Sequence, residues 1–175
     1  MRLSALATNV LNLSRIENQT ILGPKSRFNL SEQIRSCILL LERKWNAKHL
    51  DLSLGFDEYE IEADPELLKE VWINLLDNAV KFAPEYGLIR VTIQTGSESI
   101  RVAVPNTGST IPPEKRDRIF QKFYQADESH ATQGNGVGLA IVKKVVELHQ
   151  GQVHVGCDEK NSTTFTVVLP CFIYG

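Results

Sequence analysis

Asn74 and Asn78 stand four residues apart, with Glu70 one turn before them and Lys81 and Phe82 about one turn after. Positions four apart on an α-helix lie only about 40° apart around its axis, so Glu70, Asn74 and Asn78 would line one polar ridge. Amide oxygens are hard ligands suited to Mg2+, an ion that keeps several waters and takes few protein ligands alongside phosphates. Lys81 would bring positive charge to such phosphates. By itself the segment also reads as amides that face solvent or cap a neighbouring loop.

A second group is Gly134-Asn135-Gly136-Val137-Gly138-Leu139-Ala140, which opens directly into an apolar helical pattern. Glycines let backbone amides approach an anion closely, and a helix N-terminus adds unsatisfied N–H groups and partial positive charge. The same residues also suit a flexible, glycine-capped loop. No Gly-Lys-Ser/Thr follows, which excludes the phosphate loop of the nucleotidases, and no strand precedes, which excludes a dinucleotide fold. A third group, Val104-Pro105-Asn106-Thr107-Gly108-Ser109-Thr110-Ile111, is a polar turn leaving a strand. There a side chain at the strand end could read a base edge, though asparagine-glycine turns are common.

The elements that must hold these groups follow from hydrophobic periodicity. Asp64-Pro65 starts a helix with proline at its first position, and Leu67, Leu68, Val71, Leu75, Leu76 and Val80 carry its apolar face to Phe82, before Pro84. A helix over about Val137 to His149 follows the glycine loop. Ile89, Val91 and Ile93, then Ile100, Val102 and Val104, alternate around Gly96-Ser97 as a β-hairpin. Gln152 to Cys157 and Thr163 to Leu169 form a further antiparallel pair.

Upstream, Phe28 to Leu30 reads as a short strand, and Ser31 as the N-cap of a helix running to about Lys48. Leu50, Leu52 and Leu54, and then Tyr59 and Ile61, mark two strands. Leu3, Leu6, Val10, Leu13 and Ile16 give a leading amphipathic helix that Gly23-Pro24 stops; its stripe could be covered by its own domain or by a helix of another chain. The expected class is α+β, a two-layer sandwich with helices on one face of a mixed, mostly antiparallel sheet.

Composition narrows the partners. At 175 residues one well-filled domain with a short appendage is expected. A net charge of -2, without a dense run of lysine and arginine, argues against nucleic acid. Cys37, Cys157 and Cys171 lack metal or redox spacing and suit reduced thiols in a cytoplasm. No apolar run reaches the roughly 20 residues that span a bilayer, and the first segment has none of the apolar block and small-residue cleavage site of a secretory signal.

Taken in order, Asn74-Leu75-Leu76-Asp77-Asn78-Ala79-Val80-Lys81-Phe82, the turn at 106 to 111, Ile119-Phe120-Gln121-Lys122-Phe123-Tyr124 and the glycine loop resemble the N, G1, F and G2 boxes of the histidine-kinase ATPase family. The likeness covers roughly residues 28 to 170. Leu13-Ser14-Arg15-Ile16-Glu17 resembles the end of the second helix of the dimerisation and phosphoacceptor domain that precedes such domains. The resemblance implies a Bergerat-type ATP-binding fold over 21 to 175, with 1 to 20 as a remnant of that helix.

It further implies ATP and Mg2+ as ligands. Asn78 would be the metal ligand and Asn74 its support, with Lys81 and Lys122 near phosphates and Phe82 beside adenine. Asn106, Gly108 and Ile111 would line the base. Phe123, Gly134, Asn135, Gly136, Val137, Gly138 and Leu139 would border the nucleotide, with 125 to 133 as a lid and Thr164 near the adenine. The partners implied are a phosphoacceptor domain and a response regulator. The parent is expected to be a homodimer, cytoplasmic or anchored in the inner or plasma membrane, and the chain alone a monomer.

There are departures from the family's pattern. Asn106 stands where an aspartate is usual and Thr110 where a glycine is. Gln125 stands in place of an arginine. A neutral acceptor bonds more weakly than a carboxylate, so reduced adenine affinity is expected. Relatives that hydrolyse ATP or phosphorylate serine resemble one another in carrying a glutamate where Asn74 stands, and an amide cannot take a proton. That favours phosphoryl transfer to a histidine. None of His49, His130, His149 or His154 has the phosphoacceptor context, so the histidine is expected on a separate segment. The competing expectation is a non-catalytic nucleotide-sensing or protein-binding module.

Overall fold

A computed structural model describes residues 2–106, 111–122, 124, 136–158 and 162–171. Its elements are α1 (Arg2–Glu17), β1 (Ser26–Asn29), α2 (Leu30–Leu40), α3 (Glu42–Ala47), β2 (Asp51–Ser53), β3 (Glu60–Ala63), α4 (Pro65–Phe82), β4 (Leu88–Arg90), β5 (Thr92–Thr95), β6 (Ser99–Asn106), α5 (Gly138–Leu148), β7 (Gln152–Cys157) and β8 (Thr163–Pro170). A four-stranded antiparallel sheet runs in the order β5-β6-β8-β7, flanked by an antiparallel pair, β1-β3, and a parallel pair, β2-β4. The α+β expectation holds: α4 and α5 pack on each other, α4 against β6 and α5 against β7.

The buried side chains of β6 are Ile100, Val102, Val104 and Asn106, and those of β8 are Thr163, Phe165, Val167 and Leu169, so one sheet face is core. Helix α4 buries Leu67, Leu68, Val71, Trp72, Leu75, Leu76, Ala79 and Val80, the stripe its spacing predicts. Its start is as expected, with Asp64 Oδ1 accepting from the N–H groups of Glu66 and Leu67 and proline in the first turn. Its other end is closed from afar: Lys48 Nζ donates to the carbonyls of Val80, Lys81 and Ala83 at 2.8, 2.6 and 2.9 Å. A cation there satisfies carbonyls that the helix leaves without partners and complements its dipole.

Three local expectations are corrected. The N-cap of α2 is Asn29, whose Oδ1 accepts from Glu32 N, not Ser31. Ser31 is fully buried and employed across the fold, its Oγ donating to Asp57 O and accepting from Tyr59 N. The helix expected to reach Lys48 breaks at Leu41, where the bond tightens to the Ile38 carbonyl and α3 begins. The strand expected over Ile89 to Ile93 divides at Val91: β4 pairs in parallel with β2, whereas β5 pairs with β6.

Helix α1 rests on α5, with Leu13 and Ile16 buried within the chain. Glu17 Oε1 meets Lys122 Nζ at 2.8 Å. Part of the leading helix's stripe is thus covered by the chain's own residues.

Candidate ATP site

Residues 74 to 82 and the start of α5 are far apart in sequence, and the antiparallel packing of α4 on α5 brings them together. A β-carbon built on Gly138 would lie 2.6 Å from Asn74 Oδ1, so a larger residue there would displace the Asn74 amide or part the two helices. Asn74 Nδ2 in turn donates to Glu70 O at 2.7 Å, holding the amide flat against its own helix. Gly136, at φ 69°, takes a left-handed conformation that glycine adopts without steric penalty. Val137, in the N-cap position of α5, is fully buried and provides no side-chain cap, while Leu139 packs against the core. The first turn of α5 thus begins beside Asn74 with no cap bond from the side chain of its own N-cap residue.

Asn78 is half-buried one turn beyond Asn74, and Phe82 is half-buried at the helix end. Lys81 is also half-buried. Desolvation pulls its ammonium pKa below the ordinary lysine value, with Asp77 opposing and Lys44 reinforcing that shift. Lys44 Nζ holds Asp77 Oδ1 at 2.6 Å, so that carboxylate is already engaged by a second cation. An anion next to Lys81 would restore what burial removes.

At the sheet, β7 leaves from the C-terminal end of α5 and runs back toward the Gly138 end. Its last residue, Cys157, pairs with Thr163, which pairs with Asn106. Asn106 is 3% exposed, and its Oδ1 is buried with no hydrogen-bond partner among the described residues. Leaving a buried acceptor unmet costs about 1–3 kcal/mol, which makes it a natural receiver for a donor from outside the chain. The backbone carbonyl of Asn106 is bound by Ser162 Oγ at 3.4 Å.

Register also separates the two threonines. Thr163 stands opposite Asn106 and is fully buried with it; Thr164 stands opposite Pro105 and belongs to the other face of the sheet. The family resemblance points to Thr164, whereas the register of β8 on β6 sets Thr163 beside Asn106.

The connection after β6 folds back on this row. Ile111 packs against the core, and its carbonyl accepts from Arg116 Nε at 3.3 Å and from Cys157 Sγ at 3.5 Å. Although burial pushes the Cys157 thiol up, these two partners and Thr163 outweigh it and leave its pKa below the usual thiol value. Ile119 is buried, Phe120 meets Phe165 edge-on at 6.4 Å, and Arg118 lies over the Tyr124 ring at 4.7 Å. Lys122, expected near phosphates, is engaged by Glu17. Gly108, Phe123, Gly134, Asn135 and the expected lid at 125 to 133 lie outside the described residues.

Residues 63–172 match the family described as histidine kinase-, DNA gyrase B- and HSP90-like ATPase. The chain is 32% identical over 171 residues to the sensor histidine kinase CusS of Escherichia coli O6:H1, covering 97% of this chain and 35% of that protein's length. Full-length ShkA in complex with AMPPNP superposes with a TM-score of 0.83 at 27% identity, over 97% of this chain and 36% of that one. The histidine kinase ThkA, in complex with the response regulator TrrA, superposes with a TM-score of 0.80 at 30% identity, over 97% of this chain and 48% of that one. This chain therefore spans about a third of the relative it matches. It belongs to the histidine kinase-, DNA gyrase B- and HSP90-like ATPase family, as an ATPase domain of the sensor histidine kinase kind.

Proposed function

We propose that this domain binds ATP with Mg2+ and donates the γ-phosphoryl group to a histidine on a separate phosphoacceptor segment. The observation that carries the reading is the buried, unpartnered Oδ1 of Asn106 at the strand end. An adenine amino group is a donor of the kind that oxygen needs, and Thr163 shares its face. Thr163, rather than Thr164, is the threonine assigned to the adenine.

On the phosphate side, the α5 N-terminus and Lys81 would supply positive potential. No group of three or more His, Cys, Asp or Glu side chains able to hold a metal occurs among the described residues. A few amide ligands beside phosphate oxygens and water suit Mg2+, so Asn78 would hold it, with Asn74 as support. When bound, the ion neutralises phosphate charge.

The reaction needs little further from this chain. An imidazole nitrogen attacks the γ-phosphorus, the bond to the β–γ bridging oxygen breaks, and ADP leaves with that electron pair. Asn74 cannot act as a general base for water, so hydrolysis is disfavoured relative to transfer to a nucleophile that is already competent. Positioning is the contribution of the domain.

Residues 1–20 are assigned to the end of a dimerisation helix and 21–175 to the ATP domain. The whole protein is assigned as a homodimer that passes phosphate to a response regulator, and its ATP domain to the cytoplasmic side. No described helix is long and apolar enough to cross a membrane.

The test is to mix this chain with a separate phosphoacceptor domain, Mg2+ and γ-labelled ATP. Label on histidine is the expected result. Tight ATP binding without transfer would instead favour a nucleotide-sensing module, and failure to bind ATP at millimolar concentration would refute both.

A further inference from the structure

Away from the ATP site, the α4–α5 pair is joined a second time by His149. This ring is 7% exposed and both its nitrogens are used: Nε2 lies 3.2 Å from Asp64 N and Nδ1 lies 2.8 Å from Val145 O. An amide N–H can only donate and a carbonyl can only accept, so the ring must be neutral with its proton on Nδ1. Asp64 is the N-cap of α4, and His149 directly follows the last turn of α5.

Asp64 and Asn74 are ten positions apart on α4, and Gly138 and His149 eleven apart on α5. At 1.5 Å per residue each separation is about 15 Å, so two contacts of matched spacing pin the antiparallel pair at both ends. One pin is Asn74 against Gly138, within the ATP site; the other is Asp64 with His149. The far pin is also fixed to the sheet: Gln150 takes φ 59°, Gly151 N donates to Val146 O, and a β-carbon on Gly151 would lie 2.4 Å from Val168 O.

We infer that His149 is a positioning residue for nucleotide binding, setting the axial register of α5 on α4 and hence the place of Gly138 against Asn74, and that its protonation releases that register. The inference rests on the ATP-binding reading above. A protonated ring presents N–H at Nε2 to the Asp64 N–H, donor against donor, and the pin is lost. Burial is the largest influence on the ring and opposes its charge, as does Lys25; the Val145 carbonyl and the Asp64 carboxylate favour it, and the net direction is downward from the ordinary histidine value. Arg27, Glu60 and Glu62 line the groove that His149 borders. Nucleotide affinity should therefore hold above neutrality and fall in mild acid.

The experiment is calorimetric titration of Mg-AMPPNP into the wild-type chain, His149→Gln and His149→Leu between pH 7.5 and 5.5, with circular dichroism to verify folding. Glutamine can accept from Asp64 N and donate to Val145 O without titrating, so it should bind like wild type at pH 7.5. Wild type should lose affinity relative to His149→Gln as pH falls below about 6.5; the nucleotide's own titration cancels between them. His149→Leu, where folded, should bind weakly at every pH. Identical pH profiles for wild type and His149→Gln, or full affinity in a folded His149→Leu, would overturn the inference.

The ring can also be read without nucleotide, by imidazole nitrogen NMR shifts. A proton on Nε2 at pH 7.5, or a ring titrating at the ordinary histidine value, would refute the role even if ATP binds. A wild-type chain that fails to bind Mg-AMPPNP would instead refute the ATP-binding reading, and with it this one.

Discussion

The two ends of the α4–α5 pair are held in opposite ways. At the His149 end the polar groups are met: both ring nitrogens are bonded and Asp64 caps α4. At the Gly138 end a glycine stands against Asn74, the N-cap residue Val137 makes no side-chain cap bond, and Asn106 Oδ1 is buried with no hydrogen-bond partner among the described residues. The first end supports the fold, and on the proposed reading the second is completed by a nucleotide, so that function falls where the chain leaves an acceptor unmet.

Substitutions can break that contrast. The largest effect is expected from Asn78→Ala, which should abolish magnesium-dependent ATP binding in calorimetry; unchanged affinity would remove Asn78 from the site. Gly138→Ala comes next, because its β-carbon meets Asn74 Oδ1 at 2.6 Å and either the Asn74 amide is displaced or α5 shifts. Nucleotide affinity should fall about tenfold or more, equivalent to about 1.4 kcal/mol, with only a modest change in melting temperature. A large loss of melting temperature with intact affinity would assign Gly138 to folding alone.

On the satisfied side, Lys48→Met should affect the fold first. It strips one ammonium from the carbonyls of Val80, Lys81 and Ala83, and denaturant unfolding should record a loss of about 1–3 kcal/mol. The smallest effect is that of pH on stability through His149. Its folded pKa lies below the unfolded value. Its contribution is therefore complete above the unfolded value of about 6.5 and is lost as pH falls from there toward the folded value. Wild type should lose stability in that window faster than His149→Gln.

How much of this was legible in the sequence depends on how local each cause is. Helix α4 was legible from cap to end because Asp64, Pro65 and the apolar stripe act within a few residues of themselves. The β5–β6 hairpin and the β7–β8 pair were legible for the same reason; Asn74, Asn78 and the glycine loop stand out as ordered motifs whose roles belong to the proposal above. The role of Ser31 was not, because its partners, Asp57 and Tyr59, come from a distant loop. Nor was the division at Val91, which follows from β4 pairing with β2. Thr163 and Thr164 are indistinguishable by type, and only the register with Asn106 puts one of them on the buried face. Lys48, His149 and the Glu17–Lys122 pair act at long range, so neither periodicity nor a motif could reveal them.

The central claim is that Asn106 Oδ1 is left unmet for a nucleotide, and Asn106→Leu tests it because fold and function should move in opposite directions. Removing a buried, unpaired acceptor should leave the free chain as stable as wild type or more stable, by up to about 1–3 kcal/mol. Losing the adenine bond should weaken Mg-AMPPNP binding about tenfold. Thermal unfolding and calorimetry on the same preparation decide the matter: a free chain at least as stable that binds more weakly is predicted, whereas a less stable chain with unchanged affinity would contradict the account.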